Sequence, residues 1–343
     1  MTDVSRQPVL DFCTYPPVGK DDWRYVFETA EVRALEIAML SRAMLLDMAN
    51  AEGFAQAAEL LSGTEYAVQT TGDFNSVESM LAERRTAIRE LFAELMHDAH
   101  IVELLKSRDD FANLRLVLRR VLTDKPLGRD YSQDGNASPD MFDDAFEQES
   151  YDLFPDYMRQ AVDAAVLAYY QKKDVRQIDY AIDAAQAAYN LATARQFKSA
   201  FLTGLFMIQI DLTNIRTMFR LKFTESEDRK VFLDGGFVEL ERFNRGLDQG
   251  YEALAPLFFV TPYHRLIEAG AAYMTSNKSF LKLEQQCEEH LTGFLKSTVQ
   301  ITAGPQPIIA YLLIKENEIR TVRLILTAKK NSLDTKLILD RIA

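Results

Sequence analysis

A chain of 343 residues, 48% of them apolar, has length for two or three domains of roughly 100–200 residues each and can bury a substantial core. Its net charge of −12 argues against a general nucleic-acid binder, because the phosphate backbone rewards clustered Lys and Arg. Two cysteines, Cys13 and Cys287, at no metal-ligand spacing exclude a disulfide scaffold and point to reduced thiols in a cytoplasmic chain.

Scarce Gly (14) and Pro (10), with abundant Ala, Leu, Glu, Arg and Met, favour helix throughout. Residues 1–20, with Pro16 and Pro17, read as an irregular lead without an apolar core of signal-peptide length. From Asp21 to about Ala49, Ala30, Ala34, Ile37, Ala38, Leu45 and Met48 recur at helical spacing. The stretch EGFAQAAELLSGTEY predicts a short helix ending at Gly63. Residues 73–106 read as a long amphipathic pair, and 109–123 as another helix. Residues 123–144 hold Pro126, Gly128, Gly135, Asn136 and Pro139 and read as a long loop. Helices are expected again over 151–172, 175–196 and 198–223, with a break near Asp234, Gly235 and Gly236. Further helices fit 237–256, 262–275, 278–298, 306–328 and 332–341. No alternating strand pattern and no uninterrupted apolar run of membrane-spanning length occur, so the expected class is all-α.

The chain repeats itself. Residues 110–119, DFANLRLVLR, and 211–220, DLTNIRTMFR, both fit Asp-x-x-Asn-(Leu/Ile)-Arg-x-x-x-Arg. These are Asp110, Asn113, Arg115 and Arg119, then Asp211, Asn214, Arg216 and Arg220. A degraded third copy sets Glu318, Ile319, Arg320 and Thr321 against Asn214, Ile215, Arg216 and Thr217, with Lys315 in place of the acid and Arg323 one place early. On a helix, Phe111, Leu114, Val117, Leu118 and Val121 share one apolar face, with an acid-amide rim on one edge and an arginine rim on the other. Before the second and third copies, YYQKKDVRQIDYAIDAAQAAYNLA resembles AYMTSNKSFLKLEQQCEEHLTGFL. The expected organisation is an N-terminal lead (1–20), a helical subdomain (21–124), a loop (125–150) and two more subdomains (151–234 and 235–343), together one contiguous body with pseudo-threefold character.

Catalytic signatures are thin. DDAFE, 143–147, fits the Asp-Asp-x-x-(Asp/Glu) box of helical prenyl-diphosphate enzymes, but no second box follows, and acids at a helix start are favoured by the dipole anyway. ELMH, 94–97, is one Glu-x-x-His pair where a di-iron bundle needs two. CEEH, 287–290, sets Cys287 one turn from His290 without a second ligand pair. His97, His100, His264 and His290 therefore read as surface or interhelical side chains. No phosphate loop and no nucleophile elbow are encoded, and no cofactor or metal is expected. The polar turn KENE, 315–318, interrupts an apolar helix. Glu316 and Arg320 at i and i+4 make an ion pair; the apolar flanks place it at least half-buried, locking helices of the third subdomain together with Arg323.

Residues 25–66 resemble the start of the C subunit of V/A-type ATPases, whose eukaryotic counterpart is the d subunit. The match rests on Tyr25, Ala30, Val32, Arg33, Ala34, Glu36, Thr64 and Tyr66. At the other end, Lys315, Glu316, Glu318, Arg320 and Arg323 resemble the family's Lys-Glu-x-Glu-x-Arg-x-x-Arg ending. The chain departs from the family in its longer lead and in Glu31, where the family carries a basic residue. The resemblance implies a funnel-shaped, non-catalytic body of three similar subdomains, one copy per complex. It implies a socket joining the central-stalk subunits to the membrane rotor ring, peripheral on the cytoplasmic face and touching the membrane only through the ring. A helical adaptor outside the ATPase, or a metal-dependent prenyl-diphosphate enzyme resting on DDAFE, are the alternatives.

Overall fold

The computed structural model describes residues 15–67, 73–123, 130–226 and 228–342. Cys13, Pro126, Gly128 and most of the expected lead lie outside the described residues. Every regular element among those described is a helix, as the all-α expectation requires. The chain divides into two compact units: Met1–His97 with Gln249–Ala343, and Asp98–Asp248. The expected first subdomain, 21–124, thus has its last helix in the second unit.

The discontinuous unit holds α1 (Val26–Glu36), α2 (Arg42–Asn50), α3 (Phe54–Glu59) and α4 (Phe74–Leu95), then, from the C-terminal part, α11 (Tyr251–Leu257), α12 (His264–Asn277), α13 (Leu281–Lys296), α14 (Pro305–Lys330) and α15 (Thr335–Ile342). The continuous unit holds α5 (Ala99–Thr123), α6 (Pro139–Glu147), α7 (Asp156–Lys172), α8 (Arg176–Gln196), α9 (Ala200–Phe223) and α10 (Leu240–Asp248).

Several boundaries depart from the periodicity. The helix expected over 21–49 is broken: α1 stops at Glu36, and α2 restarts after Ser41, whose hydroxyl accepts from the Met44 N–H as an N-cap. Ile37 keeps the helical spacing yet is 87% exposed, so the pattern ran through a break. The short helix ends at Glu59 and is followed by turns to Gly63, which has φ +83°. The helix read over 109–123 is the second half of α5, with no interruption from Ala99. The loop read over 123–144 contains the start of α6, with Pro139 at its first positions, where the missing N–H costs nothing. Gly250 splits the expected 237–256 helix into α10 and α11.

In the continuous unit, Phe111, Leu114, Val117 and Leu118 of α5 are fully buried against Phe142, Phe154, Met158, Ile178 and Ile182. Val121, assigned to the same face, is 45% exposed at the helix end. In the other unit, α14 is the central element. Ile308, Ile309, Leu312, Ile319, Val322, Ile325 and Leu326 are buried on it, against α1, α2, α3, α4 and α13. The likeness between the stretches before the second and third copies holds locally. Lys173 closes α7 and Lys278 closes α12, each left-handed, with φ +52° and +53°.

Candidate functional site

The repeated motif works as a backbone clamp. On α5, the Asn113 amide makes two hydrogen bonds to Ser132, 19 residues on: its oxygen accepts from Ser132 N at 2.8 Å and its nitrogen donates to Ser132 O at 2.9 Å. On α9, Asn214 does the same to Leu233, also 19 residues on, at 2.7 and 2.8 Å. Asp110 accepts from the N–H groups of Asn136 and Ala137, 26 and 27 residues on. Asp211 accepts from Phe237 and Val238 at the same two separations. Each motif thus satisfies the backbone of the loop leading to the next helix, α6 or α10, both nine residues long.

Both clamps depend on a glycine. A Cβ on Gly135 would sit 2.3 Å from Asp110 Oδ1, and one on Gly236 would sit 2.1 Å from Asp211 Oδ1. No side chain fits between carboxylate and loop. Asp110 also accepts from the Tyr157 hydroxyl at 2.6 Å and from the Asn136 side chain. Burial raises the Asp110 carboxyl above its ordinary range, against the pull of these hydrogen bonds.

The third copy keeps the place and changes the chemistry. Lys315 and Glu318 are both buried and pair with each other, and Lys315 also pairs with Glu65. Glu318 accepts from the Leu40 N–H at 2.7 Å and from the Tyr66 hydroxyl at 2.7 Å. The Lys315 ammonium lies 4.9 Å from the centre of the Tyr66 ring. Burial, then the neighbouring Glu318, pushes the Tyr66 phenol far above its usual range. Here the clamped loop lies earlier in the chain, at the α1–α2 break, and it leads to α2, again nine residues long.

The arginine rims separate. Arg115 and Arg119 of α5 both reach α8, Arg115 to Asp183 and Arg119 to Asp179, with Arg115 Nε 3.5 Å from Asp179. Burial raises the Asp183 carboxyl, against the pull of Arg115 and of Arg220 on α9. Arg216 is half-buried and Arg220 exposed. In the third copy the expected Glu316–Arg320 pair does not form. Glu316 instead accepts from Arg89 of α4 at 2.8 Å, both side chains being at most 14% exposed. Arg320, about 40° further round the helix, faces solvent. Arg323 is exposed too and pairs with Glu78 of α4. The buried lock is therefore Arg89–Glu316 beside Lys315–Glu318, and it joins α14 to the N-terminal helices. Arg33 binds both oxygens of Glu36 and donates to Thr298 O at 2.7 Å, tying α1 to the end of α13.

Sequence reasoning missed Arg89, Glu65, Asp179 and Asp183. For the last two a signal existed: acids at i and i+4 on one helix match arginines at i and i+4 on another. Arg89 and Glu65 carried none, since their partners lie more than 200 residues away.

The catalytic alternatives meet ordinary structure. DDAFE ends α6 instead of starting a helix. Its Asp143 pairs with Arg120 and accepts from the Tyr131 hydroxyl. His290 is wedged between the Tyr15 and Tyr263 rings, and burial lowers its pKa to about 4. His97 stacks on Tyr25 and contacts Glu28. Among the described residues no three His, Cys, Asp or Glu side chains group as a metal site requires, and no helix is long and apolar enough to cross a membrane.

The family model described as ATP synthase (C/AC39) subunit matches residues 29–341. The chain is 23% identical over 309 residues to the C subunit of the V-type sodium ATPase of Enterococcus hirae, covering 88% of this chain and 92% of that one. It is 26% identical over 326 residues to the C subunit of the V-type ATP synthase of Thermus thermophilus, covering 90% and 94%. The match takes in all three clamps, and the chain belongs to the ATP synthase (C/AC39) subunit family, that of the V/A-type ATPase C subunit.

Proposed function

We propose that the chain is the non-catalytic socket of a V/A-type ATPase, seated on the cytoplasmic face of the membrane rotor ring, one copy per complex, and holding the foot of the central stalk. The observation that carries this reading is the triple clamp. Asp110–Asn113, Asp211–Asn214 and Lys315–Glu318 each pin a loop that opens a nine-residue helix. A part that passes torque must not yield at its loops, and three like fastenings favour a pseudo-threefold body of three subdomains, near 21–124, 151–234 and 235–343. Arg33, Glu36, Arg115, Arg119 and Arg323 serve assembly in this reading, by holding helices in register. Polar contacts of defined register resist slipping better than apolar ones alone.

A pull-down of the full chain from its own cells in mild detergent, with partners identified by mass spectrometry, tests the proposal. Co-recovery of a small, very apolar ring subunit with stalk and nucleotide-binding subunits is the expected result. Recovery of the chain alone from the soluble fraction would overturn it in favour of an adaptor outside the ATPase.

A further inference from the structure

The discontinuous unit contains a two-chambered cleft that the socket reading does not use. The first chamber, about 410 Å³, lies among α2, α13, α14 and α15. Four cations line it, Arg42, Lys296, Arg320 and Arg341, against two carboxylates, Glu288 and Glu289. Glu288 is taken up by Arg341, and Glu289 accepts from Gln285 and Gln286. Among the described residues no carboxylate pairs with Arg42, Lys296 or Arg320. In a chain of net charge −12 this is a local excess of positive charge.

The second chamber, about 520 Å³, is a slot between α14 and α15. Leu281, Leu324, Leu333, Leu337 and Ile338 wall it, and among the described residues its charged groups are Arg320, Arg323 and Arg341. Leu333 and Leu337 are 52% and 45% exposed there, so water covers apolar surface that a ligand would cover better. The two chambers meet at Arg320, Leu324 and Arg341. Arg341 is neutralised by Glu288, which leaves Arg320, among the described residues, as the guanidinium at the junction without a carboxylate partner. Each volume falls within the roughly 300–1,000 Å³ of ligand clefts.

We propose that this cleft binds a long-chain carboxylate anion, its head on Arg320 and its chain in the slot. The planar guanidinium fork matches a carboxylate through two hydrogen bonds. From Arg320 to Ala328 the slot runs along about 12 Å of helix axis, at 1.5 Å per residue, room for a medium-length acyl chain. Lys296 and Arg42 add attraction from the deeper chamber without needing contact.

Calorimetric titration of the full chain with laurate, below its micellar concentration, tests this. Saturable one-site binding is expected, with hexanoate and the cation dodecyltrimethylammonium each binding much more weakly. Arg320→Glu should weaken laurate binding by about tenfold or more, and Leu337→Asp should do likewise. Both residues are exposed, so both variants should keep the wild-type melting temperature. Absence of saturation, equal binding of the cationic amphiphile, or folded variants that bind laurate unchanged would each overturn the proposal. So would a dimer, seen by sedimentation, that Leu337→Asp dissolves and laurate does not, since the slot would then be covered by a second copy.

Discussion

The two clamps of the continuous unit and the one in the discontinuous unit solve the same problem with opposite chemistry. On α5 and α9 an aspartate and an amide hold a downstream loop, and the amide supplies both donor and acceptor. On α14 a glutamate holds an upstream one, buried with Lys315 as its counter-ion. An amide can satisfy a peptide unit alone. A buried carboxylate needs company, and Lys315, Tyr66 and the Leu40 N–H provide it. The charged version is therefore a network, and its members should fail together.

The largest expected effect breaks that network. Lys315→Ala strands Glu318 and should cost about 3–5 kcal/mol of unfolding free energy, read by chemical denaturation. Lys315→Met with Glu318→Gln should recover much of the loss; a double variant as weak as the single one would deny the coupling. Next comes pH, which acts on the discontinuous unit through His290. The folded pKa of His290 is lowered to about 4 from 6.5, so its stabilising contribution is present above pH 6.5 and is lost as pH falls toward 4. The loss should reach about 3 kcal/mol, and His290→Phe should flatten that limb of a stability-against-pH curve.

Gly135→Ala and Gly236→Ala sharpen the likeness between the first two clamps. Each should push its aspartate off the loop and cost about 1–3 kcal/mol, with faster amide exchange at residues 136–137 and 237–238 respectively. If one glycine tolerates alanine and the other does not, the two clamps are not equivalent. Arg323→Ala should be the mildest change, below about 1 kcal/mol, because its pair with Glu78 is exposed. Thermal melting distinguishes it from the buried Arg89–Glu316 pair.

The motifs were legible in sequence because each is local: acid, amide and arginines within ten residues on one helix. Their targets were not. Nothing in Ser132 or Leu233 marks it as the asparagine's target, since Asn113 and Asn214 reach only backbone atoms there. The third copy misled for a related reason. Glu316 and Arg320 have the spacing of a helix pair, and no local pattern signals that Arg89 arrives from α4 to take the glutamate. Helix class and most boundaries followed from periodicity. Breaks at Ile37–Leu40 and Gly250 were missed because apolar spacing continues across the first, and a lone glycine within a helical pattern carried little weight at the second. The nine residues of α6 were hidden by Gly135, Asn136 and Pro139, which open that helix as effectively as they would end another.

The hydrogen bond from Leu40 to Glu318 spans 278 residues. During synthesis the chain grows from its N-terminus, and domains fold as they emerge. Residues 98–248 can complete their own contacts midway through translation. The first helices cannot, because the glutamate that fastens them is made 278 residues later. The helices α1 and α2 thus wait, part-folded, until α14 has been made. A chain cut short before α14 would leave that waiting surface open, a ready substrate for chaperones or for proteolysis.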